Sequence, residues 1–373
     1  MAALHDDLAA EFAATAEEIL SRLDRNRTVT GELEAGPFSA TAWSAVAEAG
    51  WLEALVTEEA GGLGLGLREL APILTAVGRH LLPGPVAEHA VAGALAVPAA
   101  ADSAAARLRA TLAGEGMLAL VDPAAASPAA ARPRLAGDEL SGGCELVRFA
   151  GRASELLVAA DGPDGPAVVL LDAGRDGVAV AARESLDPTT ELSAVTLDGV
   201  AVGADDVVAA NDVAAELLRA THAGMRVAVA CELAGIADHA LTISVAYAKE
   251  REQFGRPIGS FQALQHILAE MARESFALGR TCREAAAADA GAPDRLDDAA
   301  LAAKAYAARA ARSVVESALQ VHGGIAFTIE HELHRYYTHL LFLDGFWGDR
   351  RDLHAALGRR LLAGDGDVWP AWS

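Results

Sequence analysis

The sequence predicts an α+β protein that is mainly helical, with its strands gathered in one central region. Apolar residues recur at three- and four-residue spacing near both ends of the chain, which is the pattern of an amphipathic helix. Between these ends, short β-rich runs alternate with Pro and Gly, which favours a small sandwich or barrel. Helices followed by strands and then helices indicate segregated domains. We therefore expect an N-terminal helical domain at 1–113, a middle β domain at 114–212 and a C-terminal helical bundle at 213–373.

The N-terminal region predicts three helices. An acidic, Ala-rich segment covers Asp6 to Leu23, a second segment covers Phe38 to Leu55, and a third runs from Leu67 to His80. The glycines of Gly61–Gly66 separate the second helix from the third. No strand precedes this cluster, so it lacks the context of a dinucleotide-binding fingerprint and predicts a flexible turn.

The middle region predicts short strands and the turns between them. Its β-rich runs are Met117–Val121, Leu156–Ala160, Ala167–Leu171, Val178–Val180, Ala194–Leu197 and Val207–Val208. Turns are expected where Gly, Pro and Asp cluster, at Asp122-Pro123, Gly137, Gly142-Gly143, Asp161–Pro163 and Asp198-Gly199. The Ala- and Pro-rich stretch Pro123–Pro133 predicts a loose loop.

The C-terminal region predicts a bundle of long antiparallel helices with short links. One apolar stripe runs from Val229 to Tyr247 and a second from Phe261 to Met271. A third helix is expected from Asp297-Asp298 to Val321, since acids suit a helix N-terminus. Two further helices are expected at Ile329–Leu343 and Arg350–Leu362.

Charge and cysteine content limit the class of protein. The net charge of the 373 residues is −22, which disfavours nucleic-acid binding because that function needs a basic face. The three cysteines, Cys144, Cys231 and Cys282, are unevenly spaced, so neither a disulfide framework nor a zinc site is expected. No apolar run reaches the roughly 18 residues of a membrane span, and the acidic start lacks the positive charge of a secretory signal. These features predict a cytoplasmic protein without nucleic-acid or membrane partners.

The stretch Tyr247–Gln262 combines a helix end, a tight Gly/Pro turn and the start of another helix. Arg251 lies at the end of the first helix, and its planar guanidinium can donate two hydrogen bonds to a phosphate. Phe254 is able to cover a flat ring, and Gln262 is able to hydrogen-bond a nucleotide. The alternative interpretation is a solvated arginine at a helix end, with Phe254 filling the turn.

The stretch Gln320–Ile325 places two glycines at the end of a helix. Glycines there usually form a C-terminal cap, and they also let a ligand approach the backbone closely. We expect His322 to be a packed or surface histidine rather than a metal ligand. His331 and His334 have the spacing of a chelating pair on a helix, but no third ligand is patterned nearby, so no metal is predicted.

Tyr247 to Met271, with an Arg-x-x-Phe-Gly core followed by Phe-Gln, resembles the C-terminal signature of the acyl-CoA dehydrogenase family. Gln320 to Thr328 resembles the family's Gln-x-x-Gly-Gly element, and the spacing between the two stretches also fits. Trp43 to Gly66 is similar to the family's N-terminal pattern of Trp, Gly-Trp-Leu and Glu-Glu-x-Gly-Gly-Leu-Gly. Leu186 to Val202 is similar to its late β-domain segment. Agreement at four ordered places makes the resemblance specific, and it is weakest over residues 114–185.

The resemblance implies the family fold, with an α-helical domain, a β domain and a four-helix bundle, assembled as a tetramer. It also implies FAD as cofactor, an acyl-CoA thioester as substrate and electron-transfer flavoprotein as a possible electron acceptor. The residues that it implies reach across an interface to the FAD of a neighbouring subunit are Arg251, Gln262, Gln320, Val321, His322, Gly323 and Gly324. An arginine and exposed backbone N–H groups on one chain can hold a pyrophosphate seated on another.

The family reaction needs a carboxylate base that takes the α-proton of the thioester while the β-hydride passes to the flavin. The usual base lies about 27 residues after the Gln of Gln-x-x-Gly-Gly, which here is Trp347. Some members carry it about 26 residues before the Arg of Arg-x-x-Phe-Gly, which here is Met225. Neither side chain can accept a proton. Asp344 and Asp349 are the candidates for a displaced base, although each is otherwise a loop acid and Asp349 suits the N-cap of the last helix.

The β domain departs from the family as well. The family's flavin-lining segment, Thr-Glu-Pro followed by Gly-Ser-Asp, has no match in the corresponding region Val121–Pro128. These departures predict a supporting subunit, similar to those of the actinobacterial heterotetrameric acyl-CoA dehydrogenases of steroid side-chain degradation, in which unlike chains build shared sites. Three alternatives stay open: a self-sufficient homotetramer with a displaced Asp base, a flavin-dependent N-oxygenase on the same fold, and a flavin-free structural relative.

Overall fold

The computed structural model describes residues 2–30, 38–288 and 293–363. Helices lie on both sides of a β region in chain order, so the expected mainly helical α+β class is confirmed. The N-terminal helices are α1 (Ala2–Thr30), α2 (Ala40–Glu48), α3 (Leu67–Arg79), a π-helical segment (Glu88–Gly93) that continues into α4 (Ala94–Ala96), and α5 (Asp102–Leu112). The Gly61–Gly66 turn leads directly into α3, whose first turn is closed by a hydrogen bond from the Gly66 N–H to Glu69 Oε2 (2.9 Å).

The β region is one continuous eight-stranded sheet rather than two separate sheets. Its strands are β1 (Leu118–Val121), β2 (Arg134–Ala136), β3 (Glu139–Arg148), β4 (Glu155–Asp161), β5 (Pro166–Asp172), β6 (Val178–Arg183), β7 (Leu192–Ala201) and β8 (Val207–Ala210). Their order is β6-β7-β3-β2-β4-β5-β8, and β1 pairs in parallel with β4. Val195 of β7 and Val169 of β5 belong to the same apolar core although their strands lie far apart in this order. The sheet therefore curls around an interior of its own.

Two predicted turns are wrong, because their glycines lie inside strands. Gly142 and Gly143 belong to β3, where a Cβ on Gly143 would lie 2.6 Å from the carbonyl oxygen of Val195. The pairing of β3 with β7 shifts register on either side of these glycines. Asp198-Gly199 likewise lies within β7. Close backbone approach and bulges, which bend the sheet, explain these glycines better than chain reversal does.

The C-terminal part is a bundle built on one very long helix. Its elements are α6 (Asn211–Glu250), a small hairpin of β9 (Glu252–Gln253) and β10 (Arg256–Pro257), α7 (Gln262–Ala286), α8 (Pro293–His322), α9 (Leu333–Gly345) and α10 (Arg350–Ala363). Helix α8 begins four residues before the predicted start, at a proline that suits the first helical turn. Helix α9 begins at Leu333 rather than Ile329, so His331 precedes the helix.

By length and composition, α6 is apolar enough to cross a membrane, with a mean hydropathy of 1.4 over its most apolar window. The protein buries 72% of that window, because helices of both helical regions pack around it. This burial is typical of a central core helix.

Helices α3 and α6 touch backbone to backbone through two glycines. A Cβ on Gly78 would lie 2.0 Å from the carbonyl oxygen of Glu232, and a Cβ on Gly235 would lie 1.9 Å from that of Thr75. No side chain larger than hydrogen fits at either position. The N-terminal helices are therefore fixed against the bundle in one register.

Five buried charged side chains meet where the three parts of the chain join. Arg148 of β3 bonds Glu88 at 3.2 Å (Nη1 to Oε1). His339 of α9 lies 2.7 Å from Asp187 (Nδ1 to Oδ2) and 3.8 Å from Glu232 of α6 (Nε2 to Oε2). Burial alone would lower the pKa of His339, but the hydrogen bonds and charges of Asp187 and Glu232 outweigh it and raise that pKa to about 9. His339 is therefore a protonated link between the β region and the bundle.

We expect the free energy of unfolding to fall as the pH rises from 6.5 towards 9. His339 keeps its proton to about pH 9 in the folded protein, whereas the ordinary value is 6.5, so its contribution is complete below pH 6.5 and is lost as the pH passes the folded pKa. The loss should be of the order of 2–3 kcal/mol. Urea unfolding of the wild type and of His339→Gln at pH 6 and pH 9 measures it.

The free energy of unfolding of the wild type must be compared with that of His339→Gln at each pH, because buried Lys304 makes the protein more stable as the pH rises. Its pKa is lowered from 10.5 to about 8, chiefly by burial, so its contribution to stability rises above pH 8. His339→Gln leaves Lys304 in place and cancels this effect in the difference. Equal pH dependence in both proteins would contradict a charged His339.

Candidate functional site

The turn after β1 and the loop after α9 are joined by the chain's own residues, and we call this junction the crevice. The backbone N–H of Trp347 donates to the carbonyl oxygen of Ala125 at 2.8 Å. His222 of α6 bonds Asp122 at 2.7 Å (Nε2 to Oδ2), and the His222 and Trp347 rings lie 5.3 Å apart. Burial alone would raise the pKa of Asp122, but the hydrogen bond and charge of His222 lower it. Asp122 is therefore a carboxylate tied to the bundle, and the predicted loose loop is anchored at its start.

Trp347 is enclosed in this crevice. Its side chain is 1% exposed, its backbone has a positive φ of 62°, and its indole N–H has no hydrogen-bond partner within the described ranges. Lys304 of α8 holds the loop around it by donating to the carbonyl oxygens of Asp344 (3.0 Å) and Gly348 (3.4 Å). Met225 of α6 is fully buried. Neither position of the usual base presents a group that can accept a proton.

The two aspartates proposed as a displaced base both have structural partners. Asp344 is ion-paired with Arg312 of α8. Asp349 accepts a hydrogen bond from the Asp352 N–H at 2.8 Å and so caps α10, as one of its two interpretations predicted. Neither carboxylate is left free by the fold, and their catalytic role stays a prediction.

The two motifs that predict cofactor contacts lie together at the far end of the bundle. Tyr247, near the end of α6, stacks on His322 at the end of α8, with ring centroids 4.6 Å apart. Arg251 caps α6, and the hairpin that follows returns to it through the Ile258 N–H, 2.7 Å from the Arg251 carbonyl oxygen. Packing of the helix ends therefore places the Arg251 hairpin beside the Gln320–Gly324 element.

Most predicted contact residues at this end face outward. Phe254 is 91% exposed on the hairpin, and Arg251, Gln262 and Gln320 are also exposed. The Arg251 guanidinium makes no hydrogen bond or ion pair with any other residue whose side chain is described. The side chains of Val321 and His322 are buried, so any contact that these two residues make with a cofactor must come through their backbone.

The glycines of this end are not required by the chain's own packing. A Cβ on Gly323 or Gly324 would meet no atom within 4 Å, and only Gly323 has a positive φ, of 65°. Gly323 is thus explained by helix-end geometry. Gly324 has neither a steric nor a conformational reason within the chain, and the missing side chain leaves room for a group from outside to approach the backbone.

The histidines behave as packed residues. The Nδ1 of His322 lies 2.9 Å from the carbonyl oxygen of Ala318, and burial lowers its pKa. His331 Nδ1 accepts the Leu333 N–H at 3.1 Å, and His334 Nδ1 lies 2.6 Å from the His331 carbonyl oxygen. No group of three potential metal ligands occurs in the part of the chain that the structure describes.

Comparisons with known proteins agree with the motifs. The model of the acyl-CoA dehydrogenase C-terminal domain matches residues 216–361. The chain is 32% identical to the acyl-CoA dehydrogenase FadE27 of Mycobacterium tuberculosis over 80% of this chain and 82% of that protein. The chain belongs to the acyl-CoA dehydrogenase family. It is also 31% identical to the acyl-CoA dehydrogenase FadE34 of the same organism, over 83% of this chain but only 41% of FadE34, so it spans less than half of that relative.

Solved structures of the family share the fold. One is a chain of the ChsE4–ChsE5 complex from Mycobacterium tuberculosis, with a TM-score of 0.85, 26% identity, and coverage of 95% of this chain and 97% of that one. Another is the Tcur3481–Tcur3483 steroid ACAD G363A variant, with a TM-score of 0.84, 31% identity, and coverage of 96% and 99%. A glutaryl-CoA dehydrogenase from Mycobacterium smegmatis in complex with FADH2 matches in fold, with a TM-score of 0.83, 20% identity, and coverage of 96% of each chain. The family and its structures point to FAD as the cofactor.

The residues at the Arg251 end of the bundle fit FAD, whereas those of the crevice at Trp347 do not. The Arg251 hairpin and the Gln320–Gly324 element offer a free guanidinium and exposed backbone beside glycine, which suit a phosphate-bearing group. The crevice at Trp347 does not fit, because the Trp347–Ala125 and His222–Asp122 hydrogen bonds cross it.

The residues that close this crevice could not be predicted from local sequence patterns. His222 and Asp122 are 100 residues apart, so no local pattern connects them. Lys304 gave the only local signal, as a lone cation on the apolar face that includes Ala300, Ala303 and Ala307 of α8.

Trp347→Ala should destabilise the chain by about 3–5 kcal/mol, because removing this fully buried ring leaves a large cavity. Urea unfolding measures the loss, and Trp347→Phe, which keeps most of the ring volume, should cost clearly less. If Trp347→Ala unfolds like the wild type, the crevice is not closed by this side chain.

Proposed function

We propose that this chain is the supporting subunit of a FAD-dependent acyl-CoA dehydrogenase, which removes hydrogens from the α and β carbons of an acyl-CoA thioester. It would assemble with a second acyl-CoA dehydrogenase-like chain as a heterotetramer in the cytoplasm. The observation that carries the proposal is the closed crevice, with Trp347 and Met225 at the two usual base positions. A chain that neither accepts the α-proton nor opens this crevice needs a partner for the chemistry.

The contribution of this chain would be a half-site. Bound FAD supplies hydride acceptance, and it would be seated on the partner chain. Arg251 would donate two hydrogen bonds to its phosphates, Gln262 and Gln320 would hydrogen-bond its polar edges, and Phe254 would cover an apolar face. The backbone at Gly323 and Gly324 would approach it closely. Exposed Phe327 and Ile329, 74% and 84% accessible beside this element, add apolar surface for the neighbouring chain.

The names of two structural neighbours support a heteromer. ChsE4–ChsE5 is described as a complex of two chains, and Tcur3481–Tcur3483 as a steroid ACAD. A steroid-type acyl-CoA is therefore the substrate class to test first, with electron-transfer flavoprotein as the candidate electron acceptor. The alternative of a self-sufficient homotetramer relies on Asp344 or Asp349, which would have to leave Arg312 or the cap of α10.

Purified alone, the chain should carry far less than one flavin per chain, since its own crevice is bridged. Coexpression with a second acyl-CoA dehydrogenase-like chain, sought first among the genes beside its own, should yield a coloured complex with fewer flavins than chains. Visible absorbance against protein concentration measures both, and reduction of the flavin by an acyl-CoA tests the activity. One flavin per chain in the protein alone would contradict the supporting role and make Asp344→Asn and Asp349→Asn the next variants.

Gly324→Ala should leave the thermal stability of the isolated chain unchanged, because the added methyl group meets nothing in the chain and φ is not positive. In the complex it should weaken flavin retention about tenfold, the effect of losing a contact worth roughly 1–1.5 kcal/mol. Gly358→Ala in α10 is the matched control, since its Cβ also meets nothing within 4 Å. Equal flavin retention in both variants would remove Gly324 from the half-site.

A further inference from the structure

Helices α6 and α8 run parallel and in register. The two are joined through α7, and Arg219 of α6 bonds Asp297 of α8 at 2.8 Å (Nη1 to Oδ1), while the stacked rings described above pair their far ends. Arg226 lies two turns beyond Arg219, and Lys304 lies two turns beyond Asp297. The register therefore places Arg226 and Lys304 opposite each other.

Arg226 has no ion-pair partner among the residues that the structure describes. The nearby Asp122 is bonded to His222 and the nearby Asp297 to Arg219, so both carboxylates are already engaged. No carboxylate in the described part of the chain forms an ion pair with Arg226, and its Nε is buried without a hydrogen-bond partner. Burial lowers the pKa of Arg226 against the opposing charges of these two aspartates. The Nε of this guanidinium therefore loses hydration without gaining an acceptor.

Lys304 is the second cation of this region and is completely buried. Among the residues that the structure describes, its ammonium donates hydrogen bonds only to the neutral carbonyl oxygens of Asp344 and Gly348. The Asp344 carboxylate is paired with Arg312 instead. Two cations thus face each other inside a chain whose net charge is −22. Burial and the charge of Arg226 lower the pKa of Lys304 to about 8 against the charges of Asp344 and Asp349, and within the described part of the chain neither carboxylate hydrogen-bonds Lys304.

Buried charges in proteins are normally paired, because an unpaired one loses its hydration without compensation. We propose that Arg226 and Lys304 form a binding site for an oxyanion, the carboxylate or phosphate group of a small ligand, in the crevice beside Trp347. Arg226 is the member that meets the ligand, since it is partly exposed whereas Lys304 is not. Its planar fork can donate two parallel hydrogen bonds to either group. Lys304 adds charge from behind. The site does not depend on flavin or on the proposed half-site.

The test is thermal unfolding of the full chain, alone or in whichever complex it purifies. Sodium phosphate and sodium acetate are titrated separately, each against sodium chloride at equal ionic strength. At least one of the two should raise the Tm saturably by about 2–4 °C, because a ligand that binds only the folded state stabilises it. A response to phosphate alone identifies a phosphoryl ligand, and a response to acetate alone identifies a carboxylate. A response to both identifies a general oxyanion site.

Arg226→Met should abolish the rise in Tm, and in chloride it should be at least as stable as the wild type, since it removes an unpaired buried cation. Arg350→Met is the matched control: Arg350 is exposed and has no ion pair within the described ranges, so this variant should keep the full rise. If Arg226→Met does not fold, calorimetric titration of Arg226→Lys replaces it, with about tenfold weaker binding expected because lysine cannot form the parallel pair of bonds.

Three results would overturn the site. The first is a wild-type Tm that responds to neither oxyanion beyond chloride. The second is a response that survives in Arg226→Met or binds Arg226→Lys with unchanged affinity. The third is an Arg226→Met protein that folds but is strongly destabilised in chloride, since the guanidinium would then be satisfied by the protein itself.

Discussion

The backbone contact between α3 and α6 fixes the positions of the α6 residues that pair with other parts of the chain. Gly78 and Gly235 leave no space for a side chain between the two helices, so α6 can neither rotate nor slide without a collision between backbones. Every important residue of α6 inherits its position from this contact. Glu232 is placed beside His339, His222 beside Asp122, and Tyr247 beside His322. Because α6 is a helix of 40 residues that is fixed near its middle, the positions of the residues at both of its ends are fixed as well.

The two ends of α6 differ in how many of their polar groups form hydrogen bonds within the chain. Around His222 the chain's own hydrogen bonds join the turn after β1 to the loop after α9 and enclose Trp347, while the Nε of Arg226 has no partner among the described residues. Around Arg251 the guanidinium, the exposed backbone and Gly324 have no such partners among the described residues. A site that is complete in one chain is expected to have its polar groups aimed at an enclosed ligand. A site shared between chains is expected to leave them on the surface, as the Arg251 end does.

Local patterns predicted much of the fold, and distant pairings account for what they missed. The helical stripes of α6 and α7, the runs of β4 and β5, and the cap at Asp349 depend on near neighbours, so the sequence carries them. Strand β3 was missed because Gly142 and Gly143 resemble a turn locally, whereas their reason is the Val195 backbone on another strand. The Arg148–Glu88 pair joins residues 60 positions apart, and His339–Asp187 joins residues 152 apart. No spacing rule reaches that far, and a charged residue has the same letter whether it is buried or exposed.

Trp347, at one of the usual base positions, and the two cations Arg226 and Lys304 lie in the same crevice. The loop that carries Trp347 is the loop whose carbonyl oxygens hold Lys304, and Trp347 also packs on His222, one turn from Arg226. Burial and the charge of Arg226 lower the pKa of Lys304 to about 8 against the charges of Asp344 and Asp349, and the neutral indole of Trp347 adds no compensating charge. The two cations lie on the helices around this loop, Arg226 on α6 and Lys304 on α8. The proposed supporting role takes proton transfer away from this crevice, and the proposed oxyanion site is compatible with it because that site needs only the two cations.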